Sequence, residues 1–338
     1  MEPFFIIGAQ RSGTTLVRLI LNNHSKIAIP EEGTFWMPLF RAMRGRFNQP
    51  IDPRLLKVYI NYIKVNDQFK TWKMDAENVF DTLIQKGVIT LPQLMSQLYQ
   101  TFASCDGKPF WGDKTPSFFR MVSELHHMFP KAKFIHVIRD GRDVYLSMKK
   151  IEKGRENVAV AALEWSYKIN KARHQLNTLP SGIFHELKYE SLVLSPQHEI
   201  KTICEFLNIE YEPAMLDFWQ SSDKYIGTHH SALIFQPISH DSREKWRHQL
   251  SKKDNEIFEL VAYKTLHELE YPLISGKANS LRWIKAALKL VFGLPRRAFQ
   301  IVYTMLVLQL AARFGKQTRA AGGKNSHENL CSRHPRYP

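Results

Sequence analysis

Cysteine is scarce: Cys105, Cys204 and Cys331 are the only three in 338 residues, and none stands in a CxxC or other ligand spacing. That excludes a disulfide scaffold and a cysteine-rich zinc site, and it suits a reducing compartment, read here as the cytoplasm. No HxxxH or HExxH pair occurs, so no histidine motif asks for a metal. The start lacks a basic n-region, a long apolar stretch and a small-residue cleavage site, because Met1-Glu2-Pro3 runs directly into Phe4-Phe5-Ile6-Ile7; this reads as no signal peptide. Acidic residues nearly vanish after Tyr271, where twelve Lys/Arg face the single acid Glu328. Of a net charge of +15, only +4 then belongs to the first 270 residues, a mild basicity that suits binding of a small polyanion. With 44% apolar and 23% charged residues, a wholly disordered, collagenous or polytopic membrane chain is excluded.

Short apolar runs alternate with helical patterns. Phe4 to Ile7 ends at Gly8 as a short buried strand does, and Thr15 to Leu21 reads as a helix packed on the sheet. Lys133 to Ile138 and Ile183 to Leu187 read as further strands, the first followed by a helix through Ser147 and the second by one at Gln197 to Leu207. Between them, helices are expected near Pro53 to Ile63, Ala76 to Gln85 and Leu91 to Phe102, packed around a cleft. This pattern predicts an α/β fold, a P-loop-type parallel sheet flanked by helices on both faces, with a helical C-terminal extension. The expected division is 1–275 for the main domain, 276–314 for basic amphipathic and apolar helices, and 315–338 for a disordered tail. In the extension, Leu281, Ile284, Leu288 and Val291 share one helical face and Arg282, Lys285 and Lys289 another. The apolar run from Ala298 to Ala312 would span about 22 Å, short of the ~30 Å hydrocarbon core of a bilayer, so a spanning helix is not expected.

Gly8-Ala9-Gln10-Arg11-Ser12-Gly13-Thr14-Thr15 has P-loop spacing, directly after a strand and opening a helix. Successive backbone N–H groups in such a turn wrap an anion, glycine permits close approach, and the helix N-terminus adds its positive dipole end. Thr14 stands where a nucleoside triphosphatase carries its lysine, which leaves the β and γ phosphates without their usual cation. Arg11 offers a planar fork matched to phosphate or sulfonate oxygens instead.

PFFIIGAQRSGTTLVRLILNNHSKI resembles the 5′-phosphosulfate loop of sulfotransferases that use 3′-phosphoadenosine 5′-phosphosulfate (PAPS), and KFIHVIRDGRDVYLSM resembles their 3′-phosphate motif. The GxxRSGTT form and Pro30-Glu31-Glu32 are most similar to the tyrosylprotein and related bacterial branch. The resemblance implies a cofactor-binding set of Arg11, Ser12, Gly13, Thr14 and Thr15 for the 5′ side, with Arg139 and Ser147 for the 3′-phosphate and Tyr189 near the nucleotide. It implies Glu32 as general base, with Glu31 the rival assignment, and Lys114 in Trp111-Gly112-Asp113-Lys114-Thr115-Pro116 as the contact to the bridging oxygen. Arg11 joins Glu32 and Lys114 as catalytic, and no metal is required. Arg139 could instead pair with Asp140 or Asp143, Tyr189 could be a packed core residue, and His24 and His136 read as structural. The RKGxxGDWK-type segment of cytosolic members is absent, with Ser242-Arg243-Glu244-Lys245-Trp246 in a comparable region, and Gln236 stands where the tyrosylprotein branch tends to have lysine.

The implied activity is sulfuryl transfer to an acceptor hydroxyl or amine, the acceptor being an unidentified small molecule, lipid, glycan or peptide and not a nucleic acid. The alternatives are a P-loop kinase or nucleotidase and a non-catalytic membrane-surface adaptor driven by the basic tail. For residues 281–312 three placements stay open: peripheral contact with a membrane, packing on the core, and pairing in a homodimer.

Overall fold

The computed structural model of the chain describes residues 2–74, 77–85, 89–151, 155–224, 235–276 and 280–318. Two compact units emerge among the described residues, one from the chain up to Arg139 and Lys168–Arg243, the other from Asp140–Tyr167 and the stretch between Glu244 and Thr318. Of the tail expected over 315–338, residues 315–318 instead continue the last helix, and 319–338 lie outside the described residues.

The first unit is organised by a five-stranded sheet of β1 (Phe4–Gly8), β2 (Ile27–Ala28), β3 (Phe110–Lys114), β4 (Lys133–Ile138) and β5 (Phe184–Lys188), in the order β2-β3-β1-β4-β5. Every pairing is parallel, with Gly8 opposite Val137 and Ile27 opposite Phe110. Alternation along β1 divides the core: Phe5 and Ile7 join Trp111, Phe134 and the helices between residues 37 and 128, whereas Phe4 and Ile6 join Val17, Ile20, Ile135 and Ile203 on the other face. All four β1 side chains are fully buried, each worth about 1.5–3 kcal/mol of apolar transfer. The sheet is thus covered on both faces, as an all-parallel sheet must be.

Three of the five strands were legible as apolar runs; β2 and β3 were not. β2 has two residues, and β3 reads Phe-Trp-Gly-Asp-Lys, whose polar half is buried at the sheet end instead of facing water. Because the chain leaves β1 toward β2 and β3 on one side and returns to β4 on the other, the strand order reverses between β1 and β4. Open α/β sheets present ligands beyond the carboxyl ends of strands at such a point. Gly8 and Arg139 stand there.

The second unit is helical, with Gly141–Ile151, Lys252–Glu268 and Ser280–Thr318 as its long elements. At its centre Arg142 is fully buried, bonded through Nη2 to Asp140 Oδ2 (2.7 Å) and through Nη1 to Glu259 Oε1 (2.7 Å), with its guanidinium 3.4 Å from the Trp246 ring centroid. Asp143 Oδ1 accepts from the Trp246 backbone N–H at 2.9 Å. Asp140 and Asp143 are therefore structural ligands of this knot. Pro295 does not divide the last helix, which runs on through it from Ser280 to Thr318.

Candidate active site

The turn after β1 enters helix α1 (Thr14–Asn22) through Gly13, whose φ of 95° is left-handed and which supplies no side-chain cap. The first N–H groups of α1 are thereby left to an outside acceptor, at the positive end of the helix dipole. Arg11 also adopts a left-handed φ of 68°, a conformation that costs an L-residue roughly 1–2 kcal/mol and that accumulates at functional turns. Ser12 is fully buried and its Oγ has no hydrogen-bond partner among the described residues. A buried hydroxyl of that kind fits a ligand oxygen. Thr14 is buried and Thr15 half-buried at the start of α1.

Arg139 follows β4 and reaches back to this turn. Its Nη1 donates to the Arg11 carbonyl at 3.2 Å, its Nη2 donates to the Ser242 carbonyl at 2.5 Å, and its guanidinium lies 4.3 Å from the Tyr189 ring centroid. Tyr189 is buried, and a Cβ added at Gly13 would come within 2.4 Å of its ring. Glycine is thus required at 13 for both its φ and the closeness of the ring. Arg11, Gly13, Arg139 and Tyr189, assigned separately from sequence, meet around one turn. Ser147 lies half-buried on the helix Gly141–Ile151 of the second unit.

The carboxyl ends of β2 and β3 carry the second half of the site. Parallel register places Ala28 beside Trp111, so the segment after β2 and the end of β3 leave the sheet together. There Lys114 Nζ meets Glu32 Oε1 at 2.7 Å, with the lysine side chain 1% and the glutamate 36% exposed. The loop carrying Glu32 is clamped from three directions. On α1, Arg18 donates from Nε to the Ile29 carbonyl (3.0 Å) and from Nη1 to Glu31 Oε1 (2.7 Å), while Asn22 Oδ1 accepts from the Ile29 N–H. Trp72 Nε1 donates to the Glu31 carbonyl at 3.0 Å, and the Gly33 N–H donates to Thr115 Oγ1 at 2.7 Å. Glu31 is therefore spent on a buried ion pair, and the two adjacent glutamates are physically different groups.

Beneath Lys114 sits an acid that sequence reasoning quoted but gave no role. Asp113 is fully buried and its Oδ2 accepts from Tyr99 Oη (2.6 Å) and Thr115 Oγ1 (2.9 Å). Burial, opposed by those two hydrogen bonds and by Lys114, pushes its carboxyl up to about 7. The Tyr99 phenol is driven well above its ordinary value, first by burial and then by Asp113. Thr115 thus accepts from the Glu32 loop and donates to Asp113. Only the neighbouring Lys114 motif could have pointed to this chain of bonds; Tyr99, in the middle of the helix Leu91–Cys105, carries no local signal.

The two histidines read as structural are so placed. His136 is buried in β4 with Nδ1 3.0 Å from Glu186 Oε1, and His24 is buried after α1 with Nε2 3.0 Å from the Glu210 carbonyl. Among the described residues no cluster of His, Cys, Asp and Glu could hold a metal ion.

The model of the sulfotransferase family matches residues 3–213. A putative protein-tyrosine sulfotransferase of Caenorhabditis briggsae is 26% identical over 280 residues, covering 80% of this chain and 85% of that protein. The protein-tyrosine sulfotransferase of Drosophila melanogaster is 23% identical over 266 residues, covering 74% of this chain and 48% of that protein, and an uncharacterized protein of Aquifex aeolicus is 26% identical over 261 residues, 73% and 30% respectively. The chain therefore spans less than half the length of two of these relatives. Among solved structures, the sulfotransferase domain of the Synechococcus PCC 7002 olefin synthase aligns with a TM-score of 0.56 at 20% identity over 80% of this chain and 95% of that one. The sulfotransferase domain of the curacin biosynthetic pathway aligns at 0.53 and 21%, over 80% and 98%. These two share the α/β fold described above, and with the match spanning strands β1 to β5, the chain belongs to the sulfotransferase family.

Proposed function

We propose that the chain transfers a sulfuryl group from PAPS to an acceptor hydroxyl or amine by in-line displacement at sulfur. The observation that carries this reading is the Lys114–Glu32 pair, a buried ammonium 2.7 Å from a part-exposed carboxylate at the carboxyl end of the sheet. When bound, the nucleotide supplies an activated sulfuryl group on its 5′-phosphate. The N–H groups opening α1, the Ser12 hydroxyl and the Arg11 fork would hold the 5′ side, and Arg139 the 3′-phosphate, with Tyr189 beside the nucleotide. The unpartnered Ser12 Oγ and the uncapped helix start support that fit.

Glu32 accepts the acceptor's proton as the acceptor oxygen or nitrogen attacks, and its fixed loop keeps that carboxylate in place. Lys114 holds one Glu32 oxygen, and we assign the other to the proton. Lys114 and Arg11 stabilise the negative charge that develops on the leaving side, an effect strengthened for a lysine almost wholly removed from water. No metal enters this scheme. The named relatives are protein-tyrosine sulfotransferases, which supports a phenolic hydroxyl as one acceptor to test, beside small metabolites, glycans and lipids.

Binding of labelled PAPS against ATP, followed by an acceptor screen read by the mass of one added SO₃ group, tests the reading. PAPS-selective binding with a sulfated product is expected. Preference for ATP with phosphate transfer would replace it with the kinase reading.

A further inference from the structure

The helix Ser280–Thr318 leaves a large apolar surface uncovered. Leu281, Ile284, Leu288, Val291, Phe292 and Phe299 are each 51–74% exposed, and at about 100° per residue they fall within roughly a 100° arc of the helix. This orientation is locked by the opposite face. Ala286 and Gly293 are buried; Asn157 Nδ2 donates to the Lys289 carbonyl at 2.7 Å, and a Cβ at Gly293 would overlap that same amide and Val160. Arg282 and Arg297 are tied to Glu256 (3.0 Å) and Glu164 (2.9 Å). The helix cannot turn its apolar stripe inward without breaking these contacts.

Charge identifies what the stripe meets. Ser280–Thr318 contains seven Lys/Arg and no acid, and Lys285, Lys289 and Arg296 run along one flank of the stripe, with Lys285 and Arg296 exposed. Beside that flank opens a cavity of about 300 Å³ whose lining includes Asn157, Lys289, Phe292 and Arg296. No helix among the described residues is long and apolar enough to cross a membrane. A second copy of this helix would bring like charges together along the contact. An apolar stripe bordered by cations instead matches an anionic bilayer, with acyl chains under the stripe and phosphate headgroups along the flank.

We propose that this helix seats the protein on the surface of an anionic membrane, lying in the interface with Leu288, Val291 and Phe292 in the acyl boundary and Lys285 and Arg296 on the headgroups. The proposal is independent of the sulfuryl-transfer reading. The test uses the full chain in cosedimentation with vesicles of phosphatidylcholine alone or mixed with phosphatidylserine, at low and high salt. Binding is expected only with phosphatidylserine, weakened by salt. At roughly fivefold per cation, Lys285→Glu with Arg296→Glu should lower it at least ~20-fold, and Leu288→Ser with Phe292→Ser should lower it at both salts. All four positions are exposed, and unchanged circular dichroism and thermal unfolding check that the variants fold. Absence of wild-type binding to phosphatidylserine vesicles overturns the proposal, as does binding that both variant pairs leave intact. Loss of a concentration-dependent dimer in Leu288→Ser with Phe292→Ser, without vesicle binding by the wild type, would make the stripe a dimer face and overturn it equally.

Discussion

Asp113→Asn is the perturbation with the clearest sign. The carboxyl is lifted by burial from the ordinary ~3.9 to about 7. The folded protein therefore holds this proton more tightly than the unfolded chain does, and the group's contribution to stability is fully present below pH ~4. It is lost as pH rises through about 7 and is level above that. At 1.36 kcal/mol per unit the whole loss is roughly 4 kcal/mol, of which roughly 3 kcal/mol falls between pH 5 and pH 8. Asparagine keeps an oxygen that can accept from Tyr99 and Thr115 and is neutral throughout, so it removes the pH dependence while preserving the bonds that brace the Glu32 loop. Urea unfolding of both proteins at pH 5 and pH 8 reads the effect directly. The stability of the variant relative to wild type should rise by roughly 3 kcal/mol from the lower to the higher pH, about 6–12 °C in Tm at the size of the first unit. A difference that stays constant within about 0.5 kcal/mol would refute the assignment of a buried, near-neutral acid at this position.

Two further predictions concern the turn after β1. Gly13→Ala combines a left-handed φ with a Cβ 2.4 Å from the Tyr189 ring, and calorimetry with adenosine 3′,5′-bisphosphate should show affinity lowered at least ~10-fold, since the ring and the turn cannot both keep their places. Arg11→Ala should abolish turnover by removing the fork proposed for the 5′ side; retained turnover would take Arg11 out of the mechanism.

Legibility followed the length over which a physical signal acts. β1 and β4 are short apolar runs ended by turn residues, β5 carries Phe184 and Leu187 among polar residues, and the loop from Gly8 to Thr15 is one contiguous segment, so these could be read locally. The helices Pro53–Val65 and Leu91–Cys105 begin at Pro and Thr-Leu-Pro signals and end within three residues of where periodicity stops. β2 and β3 escaped because two residues make no period and because Asp113 and Lys114 look like loop residues until Tyr99 and Glu32, 14 and 82 positions away, are brought to them. The Arg142 knot escaped likewise, since its partners Trp246 and Glu259 lie more than a hundred residues on. The amphipathic and apolar helices expected over 276–314 are one continuous helix, with Pro295 inside it.

Glu31 and Glu32 are adjacent in sequence but stand in different surroundings in the structure. Glu31 is bonded to Arg18, and both side chains are 9% exposed. Glu31→Gln therefore leaves a buried guanidinium with a neutral partner, and one lost charge-assisted bond costs about 1–3 kcal/mol. That amounts to several degrees in Tm, with turnover at saturating substrate little changed because the Glu31 carboxylate is held in its pair with Arg18. Glu32, more than a third exposed, contributes little to folding through its pair with Lys114 after solvent screening, yet Glu32→Gln removes the proposed proton acceptor while an amide oxygen can still take the lysine's bond. Turnover should fall ~10²-fold or more with nucleotide affinity nearly constant. Thermal unfolding and steady-state rates on the two variants should thus show opposite patterns, stability lost in one and rate in the other. If Glu31→Gln loses the rate and Glu32→Gln keeps it, the base moves by one residue, and the Arg18 pair becomes the means of holding it.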